Sequence, residues 1–200
     1  DPPVHLLHGA GWSHVTVDPS PTEWWGIGWW LWDESSQNRY LIDIHRRRLA
    51  PQDFLSYDID SGEWGGILHR MYLDSLALEC PIQMVVVEIN AAQRWLLQQP
   101  HVQRWSSVTG VTFVGHSTNV NKADPKYGVE SIGDEFRQGL VRLPWKGAAA
   151  REKVEDLIDE LVKYPDGETS DLVMMTWFHT LATRNHYVPR KSHGSYQMAV

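Results

Sequence analysis

The chain has 200 residues, 42% hydrophobic and 22% charged, an ordinary globular composition long enough for one well-cored domain. Its 18 basic and 25 acidic residues leave a formal net charge of −7, so the global field does not favour nucleic acid, and any such contact must come from a local patch plus bound metal. No apolar run approaches the roughly 20 residues of a membrane span, no signal peptide opens the chain, and the single cysteine, Cys80, rules out an internal disulfide, which fits a reducing compartment.

Residues 1–13, with Pro2-Pro3 and Gly9-Ala10-Gly11, read as a linker remnant, and the opening Asp1 in place of Met fits a fragment of a longer chain. His14–Val17 reads as a first strand, turned by Pro19, Ser20 and Pro21. Trp25–Trp32 is a second, aromatic-rich strand. Ser35–Asn38 is a hairpin turn, and Tyr40–Ile44 a third strand. Three strands in a meander are antiparallel by default. Pro51–Gly62 is loop-like and Gly66–Leu78 a loosely patterned helix. Met84–Val87 is a continuous apolar run, suited to a strand buried on both faces in a parallel pair. Ala91–Gln98 is a short helix stopped by Pro100, Val102–Ser107 another turn of helix, and Val111–Val114 a fifth strand. Val129–Gln138 is helical, and Leu140–Leu143 a short edge strand.

Ala148–Lys163 is the clearest helix, with Val154, Leu157, Ile158, Leu161 and Val162 in one stripe and Glu152, Glu155, Asp156, Asp159 and Glu160 on the other, solvated side. Ser170 or Thr169 caps a last helix, Asp171–Leu181. A basic, flexible tail spans 184–200. The domain proper is therefore 14–183. Of the eleven tryptophans, those in the Trp24–Trp32 run serve core and sheet packing more readily than base stacking.

Three acids stand where apolar segments end or begin. Asp18 ends the first strand, Glu88 ends Met84–Val87, and Asp171 opens the stretch Leu172–Phe178. A carboxylate at the tip of a buried strand is costly to desolvate unless a cation sits beside it. Three such sites, far apart in sequence, suggest one shared centre for hard divalent cations, Mg²⁺ or Mn²⁺, and a metal pair suits phosphodiester hydrolysis. Each acid also has a plainer role: Asp18 could open the turn, Glu88 could face water, and Asp171 could favour a helix N-terminus. The ten histidines lack a two-His zinc pattern. His179 lies about 12 Å along the helix from Asp171, too far to share one metal.

The strand order, with Asp on strand one and Glu ending strand four, resembles the ribonuclease-H-like fold. More specifically, the ordered stretches VTVDPSPTEWWGIGWW, YLIDIHRRR, VVVEIN, TNVNKADPKYGVESIGDEFRQGLVRLP and ETSDLVMMTWFHTL resemble the C-terminal nuclease domain of the large terminase subunit of tailed bacteriophages, over about residues 12–182. That resemblance implies an α/β, mixed five-stranded sheet, three antiparallel strands then parallel strands, flanked by helices. It also implies a divalent-metal-dependent endonuclease cutting concatemeric duplex DNA, with Asp18 bridging two cations and Glu88 and Asp171 holding one each. Glu23 is a candidate auxiliary ligand, since members often carry a further acid past the first. Members also often double the Asp that here stands alone after Ser170. Asp166 and Glu168 are turn acids in the same neighbourhood. Arg46, Arg47, Arg48 and Lys122 are candidate DNA contacts, each as readily a solvated strand end or a sheet buttress.

Implied partners are double-stranded DNA, the small terminase subunit, the portal, and the ATPase domain of the full-length chain, whose Walker motif is absent here. The implied location is the host cytoplasm, transiently on the procapsid portal. Two other readings stay open: another ribonuclease-H-like nuclease of resolvase or transposase type, and a non-catalytic DNA- or portal-docking module on the same fold.

Overall fold

Three strands form an antiparallel meander: β1 (Trp12–Asp18), β2 (Trp25–Trp32) and β3 (Arg39–Arg47). They belong to a computed structural model that describes residues 2, 3, 6, 7, 11–20, 23–89, 94–118, 120–124, 126 and 128–186. β6 (Ile82–Glu88) adds parallel to β1, and β7 (Thr112–His116) parallel to β6. The expected five strands gain a sixth, β8 (Val141–Arg142), parallel to the outer side of β3 where a short edge strand was expected. The sheet order is β7-β6-β1-β2-β3-β8.

The loop-like stretch 51–62 contains a one-turn helix α1 (Pro51–Phe54) and the first strand of a short hairpin, β4 (Ser56–Tyr57), whose partner β5 (Trp64–Gly65) follows it. These are too short for periodicity to reveal. α2 (Ile67–Ala77) follows. α3 (Arg94–Leu97) falls within the expected helix 91–98, whose residues 91–93 lie outside the described set. Pro100 does not only stop that helix. It begins α4 (Pro100–Thr109) at the first position, where a missing N–H costs nothing. α5 (Ser131–Arg137), α6 (Ala148–Lys163) and α7 (Asp171–Leu181) complete the chain.

Side-chain alternation along the strands sorts the core into two faces. Val15, Val17, Trp25, Ile27, Trp29, Val85 and Val87 join Phe54, Leu68 and Trp105 on one face, beneath α1, α2 and α4. Met84, Val86, Trp30, Leu41 and Ile44 face α5, α6 and α7 on the other. α7 is buried nearly all round, because it lies across the middle of the sheet against β1, β2 and β6. Trp25, Trp29, Trp30, Trp32, Trp105 and Trp177 are buried, six of the eleven tryptophans, so core packing takes the larger share of them.

The ends of the domain differ from the sequence reading. β1 begins at Trp12, and Leu6 is buried with Leu31 and Cys80, so part of 1–13 packs with the domain. Arg184, expected at the head of the tail, is tied to Glu135 of α5 at 3.1 Å and to Ser131 Oγ at 3.0 Å. Glu135 also meets Arg39 of β3 at 3.5 Å and accepts from Thr180 at 2.9 Å. The expected tail beyond residue 186 lies outside the described residues. No helix among the described residues is long and apolar enough to cross a membrane.

Candidate metal centre

Asp18 and Glu88 are the last residues of adjacent parallel strands, and both belong to the α7-facing set. The sequence forces this. Apolar Val15, Val17, Val85 and Val87 fill the opposite face, so the period of two leaves Thr16, Asp18, Val86 and Glu88 toward α7. Asp18 is 9% exposed and Glu88 4%. Burial, a hydrogen bond with Glu88, and the negative charges of Glu88 and Asp171 together hold the Asp18 carboxyl well above the usual carboxylate range. Two adjoining buried carboxylates resist ionising together, and either a shared proton or a cation relieves them.

Asp171 arrives from the other end of the chain. It opens α7, and a glycine lets it approach. Gly26 is the cross-strand partner of Asp18 in the β1–β2 ladder, and a Cβ there would clash with the Asp171 carbonyl. Gly28, two residues on, makes room in the same way for the Met175 side chain. The Gly-Ile-Gly between tryptophan pairs thus grooves the sheet for α7. The Asp171 carboxyl is pushed up to about 6, first by burial, then by the charge of Glu160, with Arg46 pulling the other way and Glu23 adding to the rise.

Glu88 is held by groups on the β7 side. Thr118 donates its hydroxyl to Glu88 Oε1, and Lys122 Nζ stands 3.8 Å from the same oxygen. His116, opposite Glu88 in the ladder, rests against Trp177 and Phe178 of α7. Lys122, considered as a DNA contact, therefore neighbours the carboxylate pair. Thr118 was given no role from sequence, though it heads the Asn-Lys stretch singled out there.

The remaining candidates scatter. Glu23 lies exposed in the loop before β2, close enough for Asp171 to feel its charge. Asp166 and Glu168 are exposed in the turn before α7. Arg46 is drawn inward, 3.3 Å from Glu160 and bonded to Thr169 Oγ1 at 2.9 Å. Arg47 and Arg48 are exposed, with Arg48 and Arg46 both over the Trp24 ring.

The acidic side of α6 is not wholly solvated. Glu160 is 4% exposed, while Val162, placed in the apolar stripe, is 78% exposed. The reason is tertiary: Arg46 and the first amides of α7 converge on Glu160. Ser170 stands at the N-cap of α7 without a side-chain bond, and Thr169 bonds Glu160 rather than the helix amides. The amides of Leu172 and Val173 donate to Glu160 Oε2 at 2.8 and 3.3 Å instead.

The donor set suits a hard cation, being carboxylate oxygens beside a buried, mutually repelling pair. Asp18 and Glu88 could hold one together, with Asp171 reaching from the helix side. Among the described residues, no three His, Cys, Asp or Glu side chains yet converge on one point as they stand.

No protein-family model and no curated protein matches this chain. Solved structures do. The human cytomegalovirus terminase nuclease domain, Mn-soaked and inhibitor-bound, superposes with a TM-score of 0.57 over 88% of this chain and 84% of that one, at 10% identity. A second structure of that nuclease domain gives a TM-score of 0.56 at 13% identity over the same shares. The chain has the fold of a terminase nuclease domain.

The large terminase of a thermophilic bacteriophage matches 65% of this chain and 28% of its own, at 9% identity and a TM-score of 0.35. That match adds nothing to the terminase nuclease fold established by the other two. The likeness is one of fold, and it agrees with the expected ribonuclease-H-like sheet, antiparallel strands followed by parallel ones.

Proposed function

We propose that this chain is the nuclease domain of a large terminase subunit of a tailed bacteriophage, an endonuclease that cuts concatemeric duplex DNA at a divalent-metal site. The observation that carries the reading is the buried Asp18–Glu88 pair at the ends of adjacent parallel strands, with Asp171 brought beside Asp18 by Gly26. The terminase nuclease fold supports it, and so does the Mn-soaked state of one structural neighbour.

Asp18 would hold both of two Mg²⁺ or Mn²⁺ ions, with Glu88 and Asp171 holding one each. When bound, such ions supply a water made acidic enough to attack phosphorus near neutral pH and offset charge on the leaving oxygen. The chain's own groups do the rest. Thr118 and Lys122 fix the orientation of Glu88. α7 fixes Asp171. Exposed Arg47 and Arg48 offer charge to the DNA backbone. Within this reading the partners are DNA, the ATPase half of the same subunit, the small subunit and the portal, and the setting is the host cytoplasm and the procapsid portal.

A second reading, a non-catalytic docking module, draws on the failure of the three carboxylates to converge as they stand. Supercoiled plasmid in Mn²⁺ at low salt separates the two. The nuclease nicks, linearises and then smears it with little sequence preference, and Asp18→Asn abolishes this. Plasmid left intact by the wild-type chain would favour the module.

A further inference from the structure

Glu160 is a buried carboxylate with every oxygen in use. Oε2 accepts from the Leu172 and Val173 amides, while Oε1 accepts from the Thr169 hydroxyl at 2.9 Å and faces Arg46 Nε at 3.3 Å. Arg46 also donates to the Thr169 hydroxyl. Glu160 thus has no oxygen left for a metal. Burying a carboxylate is tolerable only with such a set of donors. What the set secures is the first turn of α7, the turn that carries Asp171.

We propose that Glu160 is a positioning residue for Asp171, holding the α7 N-terminus against β2 so that the Asp171 carboxylate faces Asp18. The proposal rests on reading Asp171 as a metal ligand. Three elements meet at this point. α6 supplies Glu160, β3 supplies Arg46, and the loop into α7 supplies Thr169. Gly26 removes the steric barrier to close approach, and Glu160 supplies the attachment. Without that attachment, the first turn of α7 has its leading amides unsatisfied and no side-chain cap of its own. The turn would fray, and Asp171 would leave the site while the rest of α7 stayed buried.

The test measures Mn²⁺ half-saturation by the electron paramagnetic resonance of free Mn²⁺, on folded protein well below its melting temperature. Glu160→Ala should raise half-saturation about tenfold or more. Glu160→Gln keeps an acceptor for the Leu172 amide and should stay within about threefold of wild type. Leu157→Ala, one turn back and equally buried, should lower the melting temperature without moving half-saturation. If Glu160→Ala fails to fold, Thr169→Val is the substitute, and a rise of about threefold is expected.

The proposal is overturned if Glu160→Ala, or Thr169→Val in its place, binds Mn²⁺ like wild type, or if Leu157→Ala weakens binding as much. Wild-type protein that binds no Mn²⁺ would instead sink the nuclease reading beneath it.

Discussion

Gly26 of β2 lies directly beneath the backbone carbonyl of Asp171, so close that a Cβ has no place to go. The obstacle is backbone, which cannot swing aside. Gly26→Ala should therefore cost about 1–3 kcal/mol of stability, as overpacking does. It should also reduce metal-dependent cleavage, because the displaced segment carries Asp171. Gly28→Ala meets chiefly the Met175 thioether, a flexible group, and should spare cleavage. Urea denaturation and plasmid cleavage on both variants check this. Equal loss of cleavage in the two would show that the close approach at Gly26 is not special.

Asp18→Asn, Glu88→Gln and Asp171→Asn should each lower cleavage by about a hundredfold or more while leaving the fold intact. For Asp18→Asn and Asp171→Asn, metal-free stability should hold or rise, because burial and neighbouring acids disfavour the charged form of each. The Asp171 carboxyl, raised to about 6, loses its stabilising protonation as pH climbs through that value, so its replacement should help most at pH 7 and above. Melting curves with a cleavage time course settle it, and near-wild-type cleavage in any variant removes that residue from the ligand set.

Mn²⁺ should stabilise the wild-type domain. At ten times its dissociation constant a ligand confined to the native state adds about 1.4 kcal/mol, or about 3–5 °C for a domain of this size. Asp18→Asn should abolish the shift. A wild-type melting temperature flat to tens of millimolar Mn²⁺ would count against a preformed site.

Acid should weaken the domain through two histidines away from the site. His14 of β1 and His179 of α7 are fully buried, 2.9 Å apart, and stacked between Trp12 and Trp30. Burial pulls His14 down to about 3 and His179 well below its ordinary value, with Arg39 depressing both further. A lowered folded pKa means the unfolded chain binds more protons below about 6.5. Stability should thus fall as pH drops from 6.5 toward 3, by up to about 1.4 kcal/mol per pH unit for each histidine. Urea midpoints from pH 7.5 to 4.5, taken on Asp18→Asn/Asp171→Asn protein to remove the opposing carboxylates, should decline. A flat series would show that the pair is not kept neutral.

The parts legible in the sequence are those fixed by local pattern. β2 and α7 fall where the aromatic run and the apolar stretch place them, and Asp18, Glu88 and Asp171 stand at element ends as read. What escaped depends on distant partners. Glu160 reads by pattern as one more acid beside the apolar stripe of α6, and only Arg46 and the α7 amides make its burial tolerable. Thr118 lies two residues past the end of β7, and its role exists only because β7 lies beside β6. The short α1, β4 and β5 are held by their neighbours and carry no periodicity of their own.

The contact between His14 and His179 spans 165 residues of chain. The first strand of the sheet and the last helix across it meet at that contact, and the carboxylates of Asp18 and Asp171 belong to the same two elements. A ribosome delivers β1 early and α7 late, so a nascent chain that has built β1, β2, β3 and β6 still exposes an apolar groove over Gly26 and Gly28 and lacks one wall of the site. Closing so long a loop is slow relative to forming local structure. Under the proposed function, a site that needs Asp171 beside Asp18 stays incomplete until α7 has docked, and proteolysis ahead of α7 would remove one wall of that site while leaving most of the sheet.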